Sequence, residues 1–205
     1  MNFLAHIYLS GNDDQLKLGN FIGDYVKGRA FEKYPDKMQQ GILLHRHIDH
    51  YTDHNSHTAE TRKLLVPKYR HYAGILIDMF YDHFLAINWS RYSAVPLYEF
   101  IQQFHELLNN NKAMLPGKVQ QIIPSLIRNQ RLYSYRQIQG IENALTIMSE
   151  YTSLPDHTSF AIEVLREHYH FFNEHFIAFF DAFIEHLETL YGIVYNCPAK
   201  SNCEN

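Results

Sequence analysis

The sequence predicts an all-α protein, a single-domain helical bundle, on three observations. Apolar residues follow the three- and four-residue spacing of helices, and no segment keeps the period of two that a half-buried strand requires. Helix punctuation is frequent: Asp13, Asp14 and Asp36 stand where first turns begin, and Gly28, Pro67 and Gly192 stand where helices stop. A length of 205 residues with 46% hydrophobic content suffices for one substantial core.

Each element follows in order. After an apolar opening at residues 3–9, Gly11 and Asn12 form a turn, and a helix is expected from Asp13 or Asp14 to about residue 27 or 28. A second helix starts after Pro35 and runs to roughly residue 65, where Pro67 ends it because proline lacks the donor that a helix interior needs. Residues 69–89 are the most apolar stretch, with Ile75, Leu76, Ile77, Met79, Phe80, Phe84, Leu85, Ile87 and Trp89, and predict a central buried helix. Helices over 96–108, 116–129 and 135–151 each follow a turn rich in Asn, Pro or Ser. The last and longest is expected over 159–191, its phenylalanines covering more than half its circumference and therefore packing against several neighbours. Its histidines, His168, His170, His175 and His186, need no function. The domain spans 1–195, and 196–205 form a polar tail whose Cys197 and Cys203 suggest no disulfide framework.

Charge and hydropathy restrict function. With 18 Lys plus Arg against 22 Asp plus Glu, the net charge of -4 offers no general attraction for a nucleic-acid backbone. No run approaches the eighteen apolar residues of a membrane span, and the opening lacks a basic leader and a cleavage site, so a cytoplasmic protein is expected.

Against that background, three polar rows interrupt the core pattern. Asn20 and Asp24 are an i,i+4 pair; His45, Asp49 and Asp53 continue at the same interval; Asp78 and Asp82 form another pair, followed by His83. Side chains so spaced share a helix face. On the second helix Leu44, Ile48 and Tyr51 make the core stripe, with the His45 row beside it; His50, His54 and His57 fall on the outer side, and His47 fits either. Buried carboxylates on one stripe repel unless a cation or a shared proton intervenes. Aspartate with imidazole suits Mg²⁺ or Mn²⁺, with Zn²⁺ or Fe²⁺ as further options. The alternative is a network of interhelical salt bridges using Arg46, Arg62 and Arg70. Gly11, Gly19, Gly23 and Gly28 make no phosphate-binding loop and instead suit close approach of helix backbones.

At these same residues the chain resembles the bacterial acyl carrier protein phosphodiesterase family. NFLAH at 2–6 is similar to the family's opening, GNFIGDYVKG at 19–28 to its GN-x-x-x-DF-x-KG element, HRHID with the following TD to HR-x-ID-x-x-TD, and DMFYDHFLAINW to D-x-x-x-DHFL ending in tryptophan. The chain departs from that pattern at Tyr25, commonly phenylalanine, and at His47, commonly a second arginine. The resemblance implies a fold like that of HD-type metal-dependent phosphohydrolases. It also implies removal of 4'-phosphopantetheine from the serine of holo-acyl carrier protein with Mn²⁺ or Mg²⁺. Carried to this chain, the metal candidates are Asp24, His45, Asp49, Asp82 and His83, with His6, Asn20, Asp53 and Asp78 nearby. Asp24 would orient the attacking water, Lys27 and Arg46 would neutralise phosphate, and His83 or His45 would protonate the leaving serine. A hydrolase for a nucleotide or small phosphoester, or a non-enzymatic helical interaction protein, are the competing expectations. An acidic enzyme meeting an acidic carrier needs local positive charge. Lys27, Arg29, Lys33 and Lys37, together with Arg62, Lys63, Lys68 and Arg70, are the expected docking cations.

Overall fold

The computed structural model describes residues 2–195 and residue 198, so the proposed tail and both cysteines lie outside the described residues apart from that one position. Among the described residues every regular element is helical, in a single all-α domain. The order is α1 (Phe3–Tyr8), α2 (Asp14–Phe21), α3 (Asp36–His54), α4 (Ser56–Lys63), α5 (Val66–Tyr69), α6 (Ala73–Ile87), α7 (Trp89–Tyr92), α8 (Leu97–Asn110), α9 (Gly117–Arg128), α10 (Arg131–Ser134), α11 (Ile138–Tyr151), α12 (Thr158–Glu167) and α13 (Tyr169–Tyr191). None of these helices is long and apolar enough to cross a membrane.

Three expected helices are broken, each for a local reason. The first ends at Phe21 and gives way to a 3-10 turn, Gly23–Tyr25, rather than continuing to residue 27 or 28. The second is interrupted at Asn55, whose extended backbone ends α3 and whose side chain accepts the His57 N–H to start α4. Asparagine does this readily because its short amide competes with the helical ladder. The last breaks at His168, where the chain leaves helical geometry between α12 and α13. Arg70, at φ +49, likewise sets α5 apart from α6. Gly192 ends α13 in the left-handed conformation, as its position suggested.

Helices α2 and α3 pack most intimately. A Cβ on Gly19 would lie 2.1 Å from the Met38 carbonyl oxygen, and one on Gly41 2.3 Å from that of Leu16, so only glycine permits this backbone approach. Helix α6 runs through the centre with Leu76, Ile77, Phe80, Phe84 and Leu85 fully buried; α13 packs Phe172, Phe176 and Phe179 against it, Phe180 against Tyr8 and Tyr92, and Phe183 against Tyr51 of α3. Each such phenylalanine contributes about 2–3 kcal/mol of transfer free energy. This rigid centre holds the ends of α1, α2 and α3 together on one side.

Candidate metal centre

Asn20, near the end of α2 and fully buried, organises two histidines from different helices. Its Nδ2 donates to the His6 carbonyl at 2.8 Å and to Ser10 Oγ at 2.9 Å, which leaves Oδ1 to accept from His6 Nδ1 at 2.7 Å. The backbone carbonyl of the same residue accepts from His45 Nδ1 at 2.8 Å. An oxygen acceptor on each Nδ1 fixes the proton there, so in the neutral rings each Nε2 carries the lone pair. They converge on one carboxylate: His6 Nε2 is 3.2 Å from Asp49 Oδ1, and His45 Nε2 is 3.2 Å from Asp49 Oδ2. Asp24 Oδ1, from the 3-10 turn, lies 3.5 Å from His45 Nε2. The imidazoles stack with centroids 4.1 Å apart. Gly23 admits the His45 ring, because a Cβ there would sit 2.2 Å from His45 Cγ.

Electrostatics follow from this geometry. Burial pulls the His6 pKa down to about 4, and the neighbouring His45 adds to the fall. Burial acts on His45 in the same direction, but the carboxylates of Asp24 and Asp49 outweigh it and raise that ring to about 9. Both imidazoles hold Asp49 far below the usual carboxylate range against its own desolvation, and His45 lowers Asp24. The site therefore wants one positive charge between two rings and two carboxylates. A proton on His45 Nε2 supplies it only in part, for that buried atom has no hydrogen bond of standard geometry. A metal ion fits better. His6, His45 and Asp49 offer ligand atoms all within 4.8 Å of one another, and each ring's opposite nitrogen is anchored to an oxygen acceptor as in protein metal sites generally.

Asp24 and Asp49 of this cluster also line a pocket of about 340 Å³, together with Asn2, Asp53, Ile75, Asp78, Met79 and Met148. Asp53 is at its rim, 2.7 Å from Arg62 Nη2. Asp78, half-buried on α6, has its carboxyl raised by desolvation and by Asp49 and Asp53. Asp82 and His83 are elsewhere. Both Asp82 oxygens accept backbone N–H groups at the start of α1, from Leu4 at 2.8 Å and Ala5 at 3.1 Å, and burial raises its carboxyl to about 7. His83 donates from Nδ1 to the Tyr135 carbonyl at 2.7 Å and accepts at Nε2 from Tyr169 Oη at 2.8 Å, so neither nitrogen is left for a ligand or a leaving group.

The basic residues divide similarly. Arg46 donates to the Val26 and Gly28 carbonyls and lies over the Phe31 ring, which commits it to holding the loop after Asp24. Arg29 pairs with Glu32, Lys63 with Glu60, and Lys37 approaches Asp13 at 3.9 Å, while Lys27, Lys33, Lys68 and Arg70 are exposed. His50 and His54 are exposed as the helix phase required, but His57 is half-buried with Nδ1 3.1 Å from His175 Nδ1. His47 turns toward α13, its Nε2 3.1 Å from His186 Nε2. Sequence spacing gave no sign of the apolar lining residues Ile75 and Met148, nor of His6 as a direct partner of Asp49, since α1 meets α3 only through the tertiary fold.

Comparison with known proteins fits these motifs. The family model described as acyl carrier protein phosphodiesterase matches residues 1–183. The chain belongs to the acyl carrier protein phosphodiesterase family. Curated relatives of that name include one from Photorhabdus laumondii, 30% identical over 92% of this chain and 96% of its own length, and one from Pectobacterium atrosepticum, 29% identical over 92% and 98%. A third, from Escherichia coli O139:H28, is 33% identical over 73% of this chain and 78% of its own length. No solved structure matches the chain. In this acyl carrier protein phosphodiesterase family member, every residue of the His6–His45–Asp49 cluster and its pocket falls inside the matched span.

Proposed function

We propose that the protein hydrolyses the phosphodiester of holo-acyl carrier protein, giving apo-carrier protein and 4'-phosphopantetheine, with Mn²⁺ or Mg²⁺ held by His6, His45, Asp49 and Asp24. The observation that carries this reading is the convergence of two Nε2 atoms, both rings oriented by Asn20, on Asp49, which lines an acidic pocket. It favours His6 over Asp82 and His83 as a ligand, because the latter two spend their polar atoms inside the fold. When bound, the cation offsets charge on the phosphoryl oxygens and lowers the pKa of a coordinated water.

The chain's own groups supply the rest. Asp24, kept ionised by His45, orients the attacking water and takes its proton. Asp78, whose carboxyl burial holds above the usual range, delivers a proton to the departing serine oxygen. Arg62 stands at the pocket rim through its pair with Asp53, so the Arg62, Lys63, Lys68 and Arg70 segment faces the incoming carrier, with Lys27, Arg29, Lys33 and Lys37 as the second docking segment. Rim charges of this kind act mainly on encounter rate.

The test is to incubate the purified protein with holo-carrier protein and Mn²⁺ and to follow the carrier by mass spectrometry. Loss of the prosthetic group, abolished by chelation and restored by Mn²⁺ or Mg²⁺, is the expected result. Turnover of nucleotides or small phosphoesters with an untouched carrier would replace this reading with a general phosphohydrolase.

A further inference from the structure

The pocket has two walls of opposite character. Asp24, Asp49, Asp53 and Asp78 form one; Ile75, Met79 and Met148 form the other, with Asn2 beside them. Ile75, Asp78 and Met79 stand at i, i+3 and i+4 on α6, so carboxylate and apolar surface meet along a single helix face. Met79 is almost fully buried at the base, whereas Ile75 and Met148 are half-buried and present side chains to the pocket. Asn2 donates its carboxamide to Met79 Sδ and to Tyr135 Oη, which ties the base of this wall to the loop before α11. One turn beyond Met148 on α11 stands Tyr151, 81% exposed.

A wall of carboxylates with a cation takes a phosphate; an aliphatic and thioether wall has nothing to give a second charged group. The ligand that satisfies both is amphipathic, with an anionic head and an uncharged chain bearing methyl and methylene groups. Methionine suits such a chain because its flexible, polarisable side chain adapts to irregular apolar shapes. We propose that Ile75, Met79 and Met148 cradle the uncharged arm attached to the phosphate, and thereby select which phosphodiesters are hydrolysed. The inference rests on the phosphodiesterase reading of the same site. It divides the substrate: the arm lies over the α6–α11 wall, and the serine side of the diester faces the rim at Asp53 and Arg62.

Binding and turnover test it together. Met148→Gln, which adds polarity without charge, should weaken binding of free 4'-phosphopantetheine, measured by calorimetry in the presence of Mn²⁺, by about tenfold or more, the scale on which apolar pockets discriminate. Binding of inorganic phosphate and of Mn²⁺ alone should stay unchanged. In turnover the variant should lower kcat/KM for holo-carrier protein more than kcat/KM for bis(4-nitrophenyl) phosphate, which lacks the arm. Met148→Ala, a milder change at this half-buried position, should show the same contrast and decides the matter if circular dichroism shows that the glutamine variant is misfolded. Equal loss on the armed and armless ligands, or no loss on either, overturns the cradle. A wild-type protein inactive on holo-carrier protein would overturn the carrier reading instead, and the phosphopantetheine-to-phosphate binding contrast would still decide the cradle by itself.

Discussion

His45 with Asp49 and Asp82 with His83 are both histidine–aspartate pairs on the inner faces of helices, yet the fold uses them in opposite ways. In the first pair the ring has one nitrogen anchored and the other aimed at a carboxylate that lines a pocket. In the second, two N–H groups of α1, the Tyr135 carbonyl and the Tyr169 hydroxyl consume the carboxylate oxygens and both ring nitrogens. Burial of the rings alone does not distinguish them, for His45 and His83 are both buried. What separates a site from a strut is where the remaining lone pairs point.

The largest effect should come from Asp49→Ala, which removes the carboxylate shared by both rings. Turnover of holo-carrier protein should fall by at least about a hundredfold, with a smaller loss of stability than at buried Asp82 because the side chain is 41% exposed. Asp82→Ala should do the reverse. It strands two buried N–H groups at the start of α1 and should cost about 2–4 kcal/mol of stability in urea unfolding, with metal affinity nearly intact at low temperature. A fully stable, inactive Asp82→Ala protein would erase the distinction between the two pairs.

A finer test addresses Asn20. Asn20→Ala frees His6 Nδ1 but leaves the backbone carbonyl that anchors His45. Mn²⁺ affinity should drop by about ten- to a hundredfold, the usual cost of losing an outer-shell partner, and an unchanged affinity would mean that His6 is no ligand.

The smallest effect is on the pH dependence of the metal-free protein. His45 is raised from 6.5 to about 9, so its stabilisation is fully present below 6.5 and is lost as pH rises through about 9. His6 is depressed from 6.5 to about 4, so its contribution is present above 6.5 and is lost as pH falls toward 4. These two rings together should therefore contribute most to the urea resistance of the chelated protein near pH 6.5. Adding Mn²⁺ should flatten the alkaline fall, since the Nε2 lone pair is then used without its proton. An alkaline fall that persists unchanged with Mn²⁺ would argue against His45 as a ligand.

The sequence by itself determined the helical class, the i,i+4 rows and the family motifs, because helix periodicity and end signals act over a few residues. It placed His45, Asp49 and Asp53 on one stripe of α3, with His50 and His54 outside. It also treated Asp78, Asp82 and His83 as a single row, and only the tertiary structure divided them: Asp78 faces the pocket, while Asp82 meets residues 77 and 78 positions away in the chain and His83 meets partners 52 and 86 positions away. The same holds for His6, drawn to Asp49 through Asn20, and for Met148, brought opposite α6 by α11. A side chain's face is set by its local helix, but whether its polar atoms are consumed or left free depends on donors and acceptors that arrive from distant parts of the chain.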